Sequence, residues 1–145
     1  MTKRVVIAKQ DPESTKILSQ LNAHISANLS PILIELIKVR ASQINKCAYC
    51  LEIHTKAALE AGETERRIFA LPAWTESPLF SEKEKAVLKM TEEITHISNV
   101  ALSDETFEEL SKFFNEAEIS DLMMNAIAIN TWNRIALVSK VKHKN

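Results

Sequence analysis

The run Cys47-Ala48-Tyr49-Cys50, with His54 four residues beyond it, carries the side chains best suited to chemistry in this chain. Cys47 and Cys50 are the only two cysteines among 145 residues. Their spacing lets them close a small disulfide, and the histidine supplies a proton acceptor. Two thiols and an imidazole so arranged point to thiol redox chemistry.

On a helix starting near Cys47, Cys50 falls at about −60° and His54 at about −20° from the first cysteine, so all three share one face. Leu51, Ala58 and Ala61 lie on that face too, which turns it inward. Glu52, Lys56 and Glu60 lie opposite, and Tyr49 is expected to look outward or toward a partner. Burial alone would raise a thiol pKa and leave the sulfur inert. The free amides of a first helical turn oppose that, and so does an imidazole one turn away. His54 is thus expected to take the Cys50 proton or hold its thiolate, and Cys47 to resolve an oxidised Cys50 by forming the disulfide.

Glu35 stands twelve residues before Cys47 in a strongly apolar segment. A carboxylate there is unusual unless paired or working. An antiparallel return of the chain near Asn45 would bring Glu35 beside the thiols, while Lys38 offers it a simple ion-pair partner instead. A zinc site built from Cys47, Cys50, His54 and Glu35 ranks below redox, because zinc sites usually draw ligands from two segments and three of these share one helix. Two buried cysteines serving as small hydrophobes are the bland alternative.

The elements that must hold these groups read as helices. One glycine, Gly62, and four prolines are too few for a turn-rich β protein. Val5–Ala8 reads as a short extended arm. Asp11-Pro12 and Ser30-Pro31 each place proline at a first helical position, opening helices to about Ala27 and Asn45. The second of these is apolar nearly all round, as in a segment buried or packed against another subunit. A third helix runs from Cys47 to Gly62, a C′ glycine, and a fourth from Thr64 to about Leu71. A loop with Trp74 follows, with Trp74 a packing residue or part of a substrate entrance. Ser81 and Glu84 form a capping box for a helix to about Ser98. Ser103 caps another to about Phe114, and Asn115 with Glu118 opens the last, to about Ser139. Asn133 and Arg134 on that last apolar helix suggest a buried polar network.

Residues 1–145 read as one domain with no internal repeat or linker. Formal net charge is −1, with no basic footprint for nucleic acid. No segment has the uncharged length to cross a bilayer, and the N-terminus lacks a signal-peptide core. A cytoplasmic setting is expected, where a close cysteine pair is more often catalytic or metal-binding than structural. The two wide apolar helices call for a homo-oligomer to cover them.

The stretch from Ala41 to Cys50, then His54-Thr55-Lys56, Ala61–Glu65, Trp74, Phe80–Ala86 and Trp132-Asn133-Arg134 resembles the AhpD-like alkylhydroperoxidases of the carboxymuconolactone decarboxylase superfamily. The resemblance implies an all-α, AhpD-like bundle of about six to seven helices, assembled as a trimer or hexamer. It implies a thiol-dependent peroxidase that reduces peroxides and is reset by an external dithiol reductant, with no cofactor beyond its own sulfurs. It assigns the sulfenic acid to Cys50, the resolving sulfur to Cys47 and the proton relay to His54 and Glu35. The founding enzymes carry a histidine just before the second cysteine, where this chain has Tyr49. Two alternatives stand beside the peroxidase: a non-redox lactone decarboxylase using His54 and Glu35, whose relatives generally lack the cysteine pair, and an oligomeric redox-sensing module.

Overall fold

The computed structural model describes residues 4–142, and among them every regular element is helical. Eight α-helices follow in order: α1 (Ile7–Gln10), α2 (Pro12–Ser26), α3 (Pro31–Ile44), α4 (Ala48–Glu60), α5 (Glu65–Ala70), α6 (Glu82–Thr95), α7 (Asp104–Ser111) and α8 (Glu116–Val138). A 3₁₀ turn at Leu71–Ala73 extends α5.

The caps explain the boundaries. Asp11 accepts from the Ser14 amide at 3.0 Å, with Pro12 opening α2. Ser81 and Glu84 satisfy each other's amides at 3.3 and 2.8 Å, and Asn115 and Glu118 do the same at 3.0 and 2.9 Å. Thr64 and Ser103 cap α5 and α7. Ser30 makes no side-chain cap bond, so α3 starts on Pro31 alone. Of the arm expected to be extended, Val6 is extended, but the chain from Ile7 on coils into the single turn α1, whose Ile7 amide donates to Ser139 Oγ at 3.3 Å. Four residues leave a helical turn and an extended arm hard to tell apart by pattern; the contact with the end of α8 is what distinguishes them here. Helices α6 and α7 stop three residues short of their expected ends.

Helix α3 is the hub, packed against α4, α6 and α8. Leu33 through Val39 are all buried, so the all-round apolar pattern is satisfied within one chain. Ile37, Val87, Met90, Leu110 and Leu122 centre the main core. A second cluster joins Leu36, Leu71, Trp74, Phe80 and Leu88. Each such side chain contributes about 1.5–3 kcal/mol through burial.

Three asparagines of α8 make its apolar length tolerable inside the bundle. Asn125 donates to the Ile25 carbonyl at 2.9 Å, and Asn130 to Thr95 Oγ1 at 3.0 Å. Asn133 donates to Ser42 Oγ at 3.0 Å while its own oxygen accepts from Asn45 at 2.9 Å. Every member of this network is satisfied, as buried amides require. Arg134 is exposed but still joins the edge of this network, donating to the Asn130 carbonyl at 3.0 Å and to Asn130 Oδ1 at 3.2 Å.

Candidate active site

Helix α3 ends on Asn45, the asparagine held by α8. The chain then turns through Lys46, whose φ is 56°. The Cys47 amide bonds back to the Ser42 carbonyl at 3.0 Å, closing the turn. Cys47 is therefore the N-cap of α4 rather than a residue of its first turn, and only Cys50 lies within that turn. The two form a disulfide, with Cα atoms 5.3 Å apart. Both sulfur-bearing residues are buried, Cys47 at 1% and Cys50 at 5% exposure, against Ala136 of α8.

Antiparallel packing of α3 on α4 brings Glu35 to His54. Their Oε2 and Nδ1 atoms lie 2.8 Å apart. The other carboxylate oxygen, Oε1, accepts from Lys38 Nζ at 3.0 Å. Glu35 thus pairs with Lys38 as expected and reaches the active-site region through His54. Burial pushes the Glu35 carboxyl up, but the hydrogen bond from His54 and the charge of Lys38 outweigh it and hold the carboxyl below its ordinary value of 4.5. An ionised Glu35 only accepts, so His54 Nδ1 carries the proton of this bond, and in the neutral ring Nε2 is the accepting nitrogen.

His54 and Cys50 line one cavity of about 490 Å³. Its walls are mainly apolar, with Ile53 of α4 and Ile129, Trp132 and Ile135 of α8. Val6 and Ala8 of the N-terminal segment close one side. A small apolar molecule could sit there with a sulfur, an imidazole and a lysine at its edge.

All four residues singled out in the sequence meet in this region. Tyr49 differs from expectation: it is half-buried, packed on the two cysteines and Ala136, and lines the cavity. The end of α8 covers the side of α4 that a helical wheel leaves open. Trp74 is buried in the second core cluster, its Nε1 donating to Glu92 at 2.7 Å, so the tryptophan at the cavity is Trp132. The Ile129, Trp132 and Ile135/Ala136 spacing marks one face of α8 and could have pointed to that wall. Among the described residues, no group of three or more histidines, cysteines and acidic side chains is disposed to hold a metal ion.

An all-helical bundle with a buried Cys-x-x-Cys disulfide beside a His–Glu pair defines an AhpD-like protein. The family profile of carboxymuconolactone decarboxylase matches residues 12–93, and the chain belongs to that family. The uncharacterised protein YdfG of Bacillus subtilis is 37% identical over 138 residues, spanning 94% of each chain. A crystal structure from Agrobacterium tumefaciens, of the protein of unknown function ATU0492 provisionally described as an AhpD antioxidant defence protein, superposes with a TM-score of 0.93 at 36% identity, covering 99% of both chains. The debrominase Bmp8 superposes with a TM-score of 0.79 at 18% identity over 94% of this chain and 74% of its own, a likeness of fold alone.

Proposed function

We propose that the protein is a thiol peroxidase acting on organic or hydrogen peroxide. The observation that carries this reading is the Cys47–Cys50 disulfide abutting a cavity that also holds the Glu35-oriented His54. In the reduced protein the Cys50 proton passes to His54 Nε2, and the first turn of α4 stabilises the thiolate. The sulfur attacks the terminal peroxide oxygen, the O–O bond breaks, and the alcohol or water leaves with the proton held by His54. Cys50 is now a sulfenic acid. The Cys47 thiol attacks it, releases water and forms the disulfide. An external dithiol returns two electrons and two protons to complete the cycle. Glu35 keeps the imidazole in the tautomer that accepts at Nε2.

The same reading assigns the protein to a reducing, cytoplasmic setting and to a homo-oligomer of three or six chains. Family membership supports an enzyme in general; the cysteine pair favours redox over decarboxylation.

The test is peroxide consumption by the pre-reduced protein with a dithiol donor. Cys50→Ser is expected to lose at least about a hundredfold in rate, since the nucleophile itself is gone. Cys47→Ser is expected to complete one oxidation and accumulate sulfenic acid, which a dimedone label detects by mass. Full turnover by Cys50→Ser would end the assignment.

A further inference from the structure

The disulfide has two approaches. Cys50 opens on the large, mostly apolar cavity. Cys47 opens on a separate cleft of about 230 Å³. Tyr49, Ala136 and Val141 line both, so they form the partition between them. The second cleft is rimmed by Lys46, Lys140 and Lys142, all exposed, and no acidic residue lines it. Among the described residues none of the three lysines forms an ion pair.

Two of these lysines occupy backbone positions that ordinarily select glycine. Helices α3, α4 and α8 all end in the same turn, in which the amide two residues past the cap bonds back to the helix. The bonds are Cys47 to Ser42 at 3.0 Å, Glu63 to Ala58 at 2.9 Å and Val141 to Ala136 at 3.0 Å. The residue before each donor is left-handed. Helix α4 uses Gly62 there, with φ of 103°. The two turns beside Cys47 use Lys46 and Lys140, with φ of 56° and 50°. They are the only non-glycine residues with positive φ among those described. A side chain at such a position costs roughly 1 kcal/mol. Both exceptions to the glycine preference carry a cation, and both stand at one cleft over one sulfur.

We infer that this cleft is the port through which the disulfide is reduced, and that it takes a slender dithiol carrying negative charge beside its sulfurs. This rests on the redox reading above. The donor thiolate attacks Cys47 Sγ, the Cys47–Cys50 bond breaks, and Cys50 departs as a thiolate. Cys50 is the better leaving group because His54, one turn on and lining the same cavity, can hold its thiolate, whereas Cys47 makes no side-chain cap bond to the amides of α4. The donor's second thiol then attacks the donor sulfur of the mixed disulfide and releases Cys47. The donor is oxidised by two electrons to its own disulfide, and Cys47 and Cys50 are reduced. The lysines raise the local concentration of an anionic donor over a Debye length, while peroxide uses the other, apolar cavity.

The experiment is stopped-flow reduction of the oxidised protein by two monothiol probes of matched shape, 2-mercaptoethanesulfonate and 2-mercaptoethanol. Rates are normalised to the thiolate present, and a second probe molecule resolves the mixed disulfide. At low salt the anionic probe is expected to react about five- to tenfold faster, a preference that falls toward about one in half-molar salt. It is expected to vanish in the triple variant Lys46→Gln/Lys140→Gln/Lys142→Gln. Acid-quenched, alkylated samples should carry the probe on Cys47 and the alkyl label on Cys50. Equal normalised rates for the wild-type protein at low salt would overturn the port, and so would a probe adduct on Cys50. Sulfenic acid formation by reduced wild-type protein is followed separately. A charge preference in a protein inert to peroxide would support the port while sinking the peroxidase reading.

Discussion

Glu35 is the residue on which the site's electrostatics turn. It is buried, bonded to both His54 and Lys38, and ionised below the ordinary carboxylate range. A group whose folded pKa is depressed contributes stability above its unfolded value of about 4.5, and that stability is lost as pH falls through the folded pKa. Chemical denaturation between neutral pH and about pH 3 should therefore show wild type losing stability more steeply than Glu35→Gln, which has no such proton to bind. At neutral pH the same substitution should cost about 1–3 kcal/mol, because Lys38 is left buried without its counter-charge. It should also slow Cys50 oxidation by about tenfold, since the His54 tautomer is no longer enforced. Equal pH dependence in the two proteins would show that Glu35 is not held as an anion.

At the scale of elements, the turn between α3 and α4 places the first cysteine, and α8 holds that turn from behind. Asn133→Leu should cost about 2–3 kcal/mol in urea unfolding, because Asn45 and Ser42 lose a buried partner. Lys46→Gly should do the opposite. Relief of the left-handed lysine outweighs the extra freedom of the unfolded chain and raises stability by about 0.5 kcal/mol. A stabilising change that also lowers the anionic-thiol preference would mean that the lysine is kept there at some cost to the fold. Local chemistry made most of these elements legible. Asp11-Pro12, Ser81 with Glu84, and Asn115 with Glu118 act within four residues of chain, so their caps formed as read. The arm at α1 and the ends of α6 and α7 depend on neighbours that no local signal specifies.

The whole molecule leaves apolar surface uncovered on α7 and α8. Phe107 and Ile127 are 44% and 45% exposed, and Val138 is 60% exposed. Phe107, Met123, Met124 and Ile127 line one shallow groove. Continuous exposed patches of this kind accompany association. Sedimentation velocity at micromolar protein should return a trimer or hexamer, and Ile127→Lys should shift it toward monomer with little change in helix content. A monomeric wild type would remove the assembly from the proposal.

Several features followed from the sequence alone: the all-helical class, the caps at Asp11, Ser81, Ser103 and Asn115, the closeness of Cys47 to Cys50 and the placement of His54 one turn after Cys50. All of these arise from hydrogen bonds and side-chain spacings within a few residues, where helix geometry leaves little choice. Only the tertiary structure decided that Glu35 reaches His54 across nineteen positions, that Tyr49 folds over the disulfide, and that Trp132 rather than Trp74 lines the cavity. Those outcomes depend on how α3, α4 and α8 pack, and packing is set by burial summed over whole helix faces, which spacing along one chain segment does not encode.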